Sequence, residues 1–171
     1  VAEFAIELLA AKHFRKAFDC GEESLNRYIT DQASQDLKRY VAAVYVLTKQ
    51  QNDTVVGYYS LSNYSIPRGS LPIELDKKLP RYDIFGAHLI GRLAVSKNLQ
   101  GQKLGRKLII DALVTSLTLS KSSGSYAVVV SAINDRAVSF YQQYGFTQFA
   151  DKPGTLFLPM KTISQSYGEY D

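Results

Sequence analysis

Hydrophobic positions in this chain come in short blocks whose period changes along the sequence. Within residues 22–39, Leu25, Tyr28, Ile29, Ala33 and Leu37 recur every three or four positions among polar neighbours, which predicts one or two short amphipathic helices. Residues 41–48 and 54–62 are instead rich in β-branched and aromatic side chains and flank a polar turn at 50–53, the composition of a β-hairpin. Pro67, Pro72, Pro80 and Gly69 punctuate residues 65–81, predicting a long loop with at most one helical turn at 74–78. Residues 88–95 read as a strand and 97–103 as a polar turn. A helix over 104–119 follows, with Leu104, Leu108, Ala112 and Leu119 on one face. The nearly continuous apolar run 126–132 reads as a buried strand. Asn134 or Asp135 then caps a helix reaching Tyr144, and Gly145 stops it. A last strand is expected at 156–160, and the polar tail 164–171 is expected to be loose.

That order of elements predicts an α/β domain whose strands have both antiparallel and parallel neighbours. Neither a repeat nor a linker divides it, so residues 1–171 read as one domain, long enough to bury roughly two-thirds of its unfolded surface. Residues 1–10 carry Glu3 and Glu7 and no basic start, unlike a signal peptide, and no apolar run reaches the roughly 18 residues of a spanning helix. A single cysteine, Cys20, rules out an internal disulfide and suits the reducing cytoplasm. With only two histidines beside it, no metal is expected. Twenty Lys and Arg against sixteen Asp and Glu leave a net charge of +4, which favours a polyanionic partner without naming it.

The chemistry concentrates where the strand at 88–95 meets the helix at 104. A glycine-bearing turn between a buried strand and a helix N-terminus can aim several N–H groups at one anion, and the helix dipole adds about half a positive charge. Lys103, Arg106 and Lys107 stand in the first helical turn, where a purely structural helix prefers acids. On the turn alone, an anion site and a routine strand-to-helix connection both stay open. The Lys-Ser/Thr pair of a Walker A loop and the GxGxxG spacing of a dinucleotide fold are absent, which argues against nucleotide hydrolysis and hydride transfer.

Gln100-Gly101-Gln102-Lys103-Leu104-Gly105 resembles the Q/R-x-x-G-x-G/A signature of the GNAT acetyltransferases, with Lys103 where that family has its central glycine. Further on, Asn134-Asp135-Arg136-Ala137-Val138-Ser139-Phe140-Tyr141-Gln142-Gln143-Tyr144-Gly145-Phe146 is similar to the family's N…A…FYxxxGF element. The resemblance implies a GNAT fold: a mixed central sheet of about six or seven strands, flanked by helices and splayed at an acetyl-coenzyme A site. It implies that Gln100 to Arg106 cradle the coenzyme pyrophosphate, that the edge of Leu93-Ala94-Val95 takes the pantetheine arm, and that Asn134 lies on the cofactor side. Tyr141 is the implied catalytic acid, a phenol with pKa near ~10 that protonates the departing thiolate. Asn134 as a helix N-cap, and Tyr141 as one ring of an aromatic core with Phe140, Tyr144 and Phe146, are the structural alternatives.

The N-terminal half narrows the resemblance. Phe18-Asp19-Cys20-Gly21, Leu25 to Tyr28, Ala33, Gln35, Gly57-Tyr58-Tyr59-Ser60-Leu61 and Gly91-Arg92-Leu93-Ala94-Val95 look like the GNAT toxins of bacterial toxin–antitoxin pairs. That likeness implies acetylation of the α-amino group of aminoacyl-tRNA, a block on translation, a homodimer, and neutralisation by a ribbon-helix-helix antitoxin. A polyanionic tRNA makes Arg15, Lys16, Lys38, Arg39, Arg81 and Arg92 candidates for backbone contacts. An α-amino group titrates near ~8, so no strong general base is required, and His88 reads first as a strand residue. Cys20 reads as structural. A protein or small-molecule amine as acceptor, and a non-catalytic acyl-CoA-binding domain, are the competing readings.

Overall fold

A computed structural model describes residues 3–168. Seven strands form one sheet in the order β1-β2-β3-β4-β5-β7-β6. They are β1 (Phe4–Leu8), β2 (Ala43–Lys49), β3 (Gly57–Pro67), β4 (Ile84–Val95), β5 (Ala127–Ser131), β6 (Thr147–Phe149) and β7 (Lys152–Pro159). β1 with β2, β2 with β3, β5 with β7 and β6 with β7 pair antiparallel, while β4 with β5 is parallel, giving the expected mixed sheet. The helices are α1 (Glu23–Arg27), α2 (Ala33–Lys38), α3 (Ile73–Asp76), α4 (Leu104–Ser120), α5 (Asp135–Gln142) and α6 (Met160–Tyr167).

The chain divides into two compact units, one of Val1–Ser62 with Gly91–Ala112 and the other of Asn63–Ile90 with Leu113–Asp171. In the first, Phe18, Tyr28, Ile29, Ala33, Val44, Val46, Val55, Tyr58 and Ala94 share a buried cluster. Its helical segment is one run rather than two, because the π-helical stretch Tyr28–Gln32 joins α1 to α2. One wider turn changes which residues face inward, and Tyr28, Ile29 and Ala33 are the ones buried. In the second unit, Ile66, Leu71, Phe85, Ala87, Ala127, Val129, Phe149 and Phe157 form the cluster. Val128, Val129 and Val130 are all fully buried, as a strand with neighbours on both sides requires.

Several boundaries differ from the sequence reading. β3 runs on to Pro67, into what composition marks as loop, and β4 starts at Ile84, four residues before the strand expected from 88. Leu119 is 45% exposed although it shares a helical face with Leu104, Leu108 and Ala112: it stands one residue from the end of α4 at Ser120, and the buried stripe of Leu104, Leu108, Ile109, Ala112, Leu113 and Ser116 does not reach it. β1, β6 and α6 were not anticipated. Residues 164–167, expected to be loose, continue α6, where Met160 and Ile163 are buried one turn apart. Residues 169–171 of that tail lie outside the described ones.

Candidate active site

In the first unit, β4 ends at Val95 and the chain enters a short 3-10 turn, Lys97–Leu99. Two sets of bonds fix its path. Ser96 N–H donates to Val56 O at 2.8 Å and Lys97 N–H to Asp19 O at 2.8 Å, while Lys97 Nζ lies 2.9 Å from the Asp19 carboxylate. Lys97 and the Gly21 N–H, with the Asn26 amide, hold the Asp19 carboxyl below the usual range. The Gln100 side-chain amide then donates to Val95 O at 3.0 Å and Cys20 O at 3.2 Å, tying the turn back to its own strand and to the stretch before α1.

Past Gln100 the backbone turns left-handed twice, at Gly101 (φ +88°) and at Lys103 (φ +62°), and α4 starts at Leu104. Lys103 therefore adopts the conformation that a glycine in the family's signature takes without penalty. Leu104 and Leu108 anchor the helix start in the core, while Gln102, Lys103, Arg106 and Lys107 are exposed. No acid stands in the first turn, and among the described residues none of those three cations makes an ion pair. The first N–H groups of a helix have no intrahelical acceptor. N–H groups without an intrahelical acceptor, beside three exposed cations and no acid, suit a phosphate-bearing ligand such as the coenzyme A pyrophosphate. Leu93 and Val95 are partly exposed and Ala94 is buried. The ladder between β4 and β5 ends at Ile90–Val130, five residues before β4 does.

Asn134 and Tyr141 belong to the second unit. Asn134 caps α5, its Oδ1 accepting from Ala137 N–H at 2.9 Å, so the capping role is real and leaves the side-chain NH₂ unused. The chain leaves α5 through Gly145 at φ +93°. Tyr141 is 4% exposed and meets Phe140 and Phe146 edge to face, with centroids 5.3 and 5.7 Å apart. Its hydroxyl has no hydrogen-bond partner among the described residues. Every fully enclosed side-chain polar atom there has one, so the Tyr141 oxygen must be the part of the side chain that reaches solvent. Burial pushes the phenol well above its ordinary pKa and keeps it protonated.

His88 is buried, with Nδ1 2.8 Å from Ser116 Oγ, and burial lowers its pKa, so it serves the core. The Cys20 thiol is pushed up by burial and has no thiolate character to spend as a nucleophile. Of the candidate basic residues, Lys38, Arg39 and Arg81 are exposed, whereas Arg92 is half-buried with its guanidinium carbon 3.7 Å from the Tyr28 ring centroid. Arg15 is held by Ser34 Oγ at 2.6 Å. The Arg92–Tyr28 stack extends to Asp36, which accepts from Tyr28 O–H at 2.8 Å. The sequence reading had no access to that trio, nor to the tie between Gln100 and Cys20, because each joins residues far apart in the chain.

Known proteins give this geometry a family. The acetyltransferase (GNAT) domain model matches residues 16–163. A tRNA-acetylating toxin of Mycobacterium tuberculosis is 29% identical over 153 residues, covering 90% of this chain and 90% of its own length. The structure of AtaT complexed with acetyl-methionyl-tRNAfMet superimposes with a TM-score of 0.90 at 30% identity, over 96% of this chain and 99% of the other. A tyrosine-to-phenylalanine mutant of the AtaT toxin, bound to the C-terminus of the antitoxin AtaR and to acetyl-CoA, gives a TM-score of 0.84 at 27% identity, over 97% and 99%. With the family model spanning most of its length and the mixed seven-stranded sheet behind it, this chain belongs to the GNAT acetyltransferase family.

Proposed function

We propose that this protein moves the acetyl group of acetyl-CoA to the α-amino group of aminoacyl-tRNA in the cytoplasm, blocking translation as the toxin of a toxin–antitoxin pair. The observation that carries the reading is its likeness, over nearly the full length of both chains, to a toxin solved with acetyl-methionyl-tRNA. In this reading residues 1–171 act as one catalytic domain, work as a homodimer, and are neutralised by a ribbon-helix-helix antitoxin.

The turn at Gln100 to Arg106 receives the pyrophosphate through its N–H groups and Lys103, Arg106 and Lys107, and the Asn134 NH₂ adds a donor from α5. Leu93, Ala94 and Val95 offer backbone groups to the pantetheine arm as to another strand, and an N–H there polarises the acetyl carbonyl. An unprotonated α-amine attacks that carbon. When the tetrahedral adduct collapses, the carbon–sulfur bond breaks and Tyr141 O–H protonates the leaving sulfur. The phenolate regains its proton from the new amide nitrogen, directly or through water, so the enzyme ends unchanged. An α-amine with pKa near ~8 is partly neutral at cellular pH, and the sequestered His88 is not needed as a base. Lys38, Arg39, Arg81 and Arg92 contribute attraction for the tRNA backbone.

A panel of acceptors tests the proposal: labelled acetyl-CoA with charged tRNA, deacylated tRNA, a polyamine, and peptides with a free lysine or N-terminus. Transfer to charged tRNA alone is expected. Transfer to a peptide or polyamine in its place would reassign the substrate, and no transfer with acetyl-CoA bound would leave a binding domain.

A further inference from the structure

α2 ends in a way that its sequence makes costly. Val41 N–H returns to Asp36 O at 2.9 Å and Tyr40 N–H to Leu37 O at 3.2 Å, the paired bonds of a Schellman motif, which requires a left-handed residue between them. That residue is Tyr40, at φ +59°. Glycine fills this position without strain and asparagine with little, whereas a bulky aromatic residue in the left-handed region is a genuine outlier. The ring recovers nothing by packing. Tyr40 is 95% exposed, and its side chain makes no ring contact or hydrogen bond among the described residues. The sequence thus bears backbone strain to hold an aromatic ring out in solvent, and strain of this kind collects where a site uses it.

The surroundings indicate what the ring meets. Lys38 and Arg39, immediately before it, are exposed and make no ion pair among the described residues. Asp36, which anchors the motif, accepts from Gln32 and Tyr28, and its carboxyl is held below the usual range by those bonds together with the charges of Arg92 and Arg39. Arg92, stacked on Tyr28, and Arg39 therefore flank one carboxylate. Lys38, Arg39 and Arg92 against Asp36 leave this end of α2 net positive. A projecting aromatic ring among unpaired cations is the composition of a nucleic-acid contact: base stacking on the ring and phosphates on the charges. Of the neighbouring apolar side chains Val41 is 61% exposed and Leu37 half-buried, a smaller apolar area than a protein partner would bury around the ring.

Resting on the proposed tRNA substrate, we propose that Tyr40 is a positioning contact for that RNA, stacking an unpaired or terminal base while Lys38 and Arg39 hold the adjacent phosphates. The test measures binding of deacylated tRNA to the full chain for Tyr40→Gly, Tyr40→Phe and a Lys38→Gln/Arg39→Gln double variant across a salt series, with thermal melting and oligomeric state alongside. Tyr40→Gly is expected to melt higher, because it relieves the left-handed strain, and yet to raise the tRNA Kd about tenfold, within the range of one base–aromatic stack, with an unchanged salt slope. Tyr40→Phe is expected to bind as the parent does. The double variant should lower the salt slope by about two, one for each phosphate contact. In acetyl transfer to charged tRNA, Tyr40→Gly raises KM far more than it lowers kcat. A Tyr40→Gly variant that melts higher and binds tRNA as the parent does overturns the proposal, as does one that changes only oligomeric state. Failure of the parent chain to acetylate charged tRNA while Tyr40→Gly still weakens RNA binding would instead overturn the substrate assignment and leave the stacking contact standing.

Discussion

Lys103 offers a perturbation whose two consequences run in opposite directions. Its φ of +62° costs a non-glycine residue about 1–2 kcal/mol, and glycine gives back part of that by losing about 0.5–1 kcal/mol more chain entropy on folding. Lys103→Gly is thus expected to stabilise the unliganded protein by about 0.5–1 kcal/mol, or roughly 1–4 °C in Tm at this chain length. The side chain is exposed, so the change sacrifices little packing. On the ligand side, one cation a few ångström from a phosphate at the protein surface is worth about 1 kcal/mol, so acetyl-CoA affinity falls roughly fivefold. Lys103→Ala separates the two effects, since it loses the same charge and keeps the strained backbone. The assay is differential scanning calorimetry without ligand and titration calorimetry with acetyl-CoA at two ionic strengths, where the gap to the parent narrows at high salt. A lower Tm for Lys103→Gly would refute the left-handed backbone at that position. An unchanged Kd in both variants would refute the placement of Lys103 at the pyrophosphate.

Other substitutions probe the rest of the site. Tyr141→Phe removes a hydroxyl with no partner among the described residues, so stability is expected to stay within about 0.5 kcal/mol while kcat falls about 10²-fold or more; both are read from urea denaturation and steady-state rates. Gln100→Ala loses the bonds to Val95 O and Cys20 O, and the acetyl-CoA Kd is expected to rise several-fold with kcat nearly kept, as measured by titration and initial rates. His88 is held neutral by burial, its pKa lowered in the folded state, so the unfolded chain binds the extra proton. The stability it contributes is full above the unfolded value of about 6.5 and is lost as pH falls towards the folded value, a slope that His88→Gln is expected to flatten in denaturation curves between pH 7 and 5.

Elements carried by local pattern are legible in the sequence. The hairpin, the strand-turn-helix around Gln100, and the capped helix at Asn134 all lie close to where periodicity and capping chemistry put them. β1 escaped because five partly exposed residues at a sheet edge need little alternation, and their pairing with β2 is a tertiary fact. α6 escaped because Met160, Ile163 and Tyr167 have helical spacing directly behind a strand pattern, and only Pro159 marks the change. At the site, the sequence could show that Lys103 stands where a glycine is usual, but not that its backbone adopts the glycine conformation. The Tyr141 hydroxyl, without a partner among the described residues, and the strained backbone of Tyr40 are equally out of reach of the sequence, since one depends on what surrounds a side chain and the other on how the helix ends.

The central claim is most directly tested by incubating the protein with acetyl-CoA and a mixed pool of charged tRNA, then digesting the tRNA and weighing the released aminoacyl-adenosines by mass spectrometry. The account predicts an acetyl adduct on the α-amino group of one or more aminoacyl-adenosines, formed by the parent chain and strongly reduced with Tyr141→Phe. Unmodified aminoacyl-adenosines from a preparation that binds acetyl-CoA and acetylates a peptide or polyamine would contradict it.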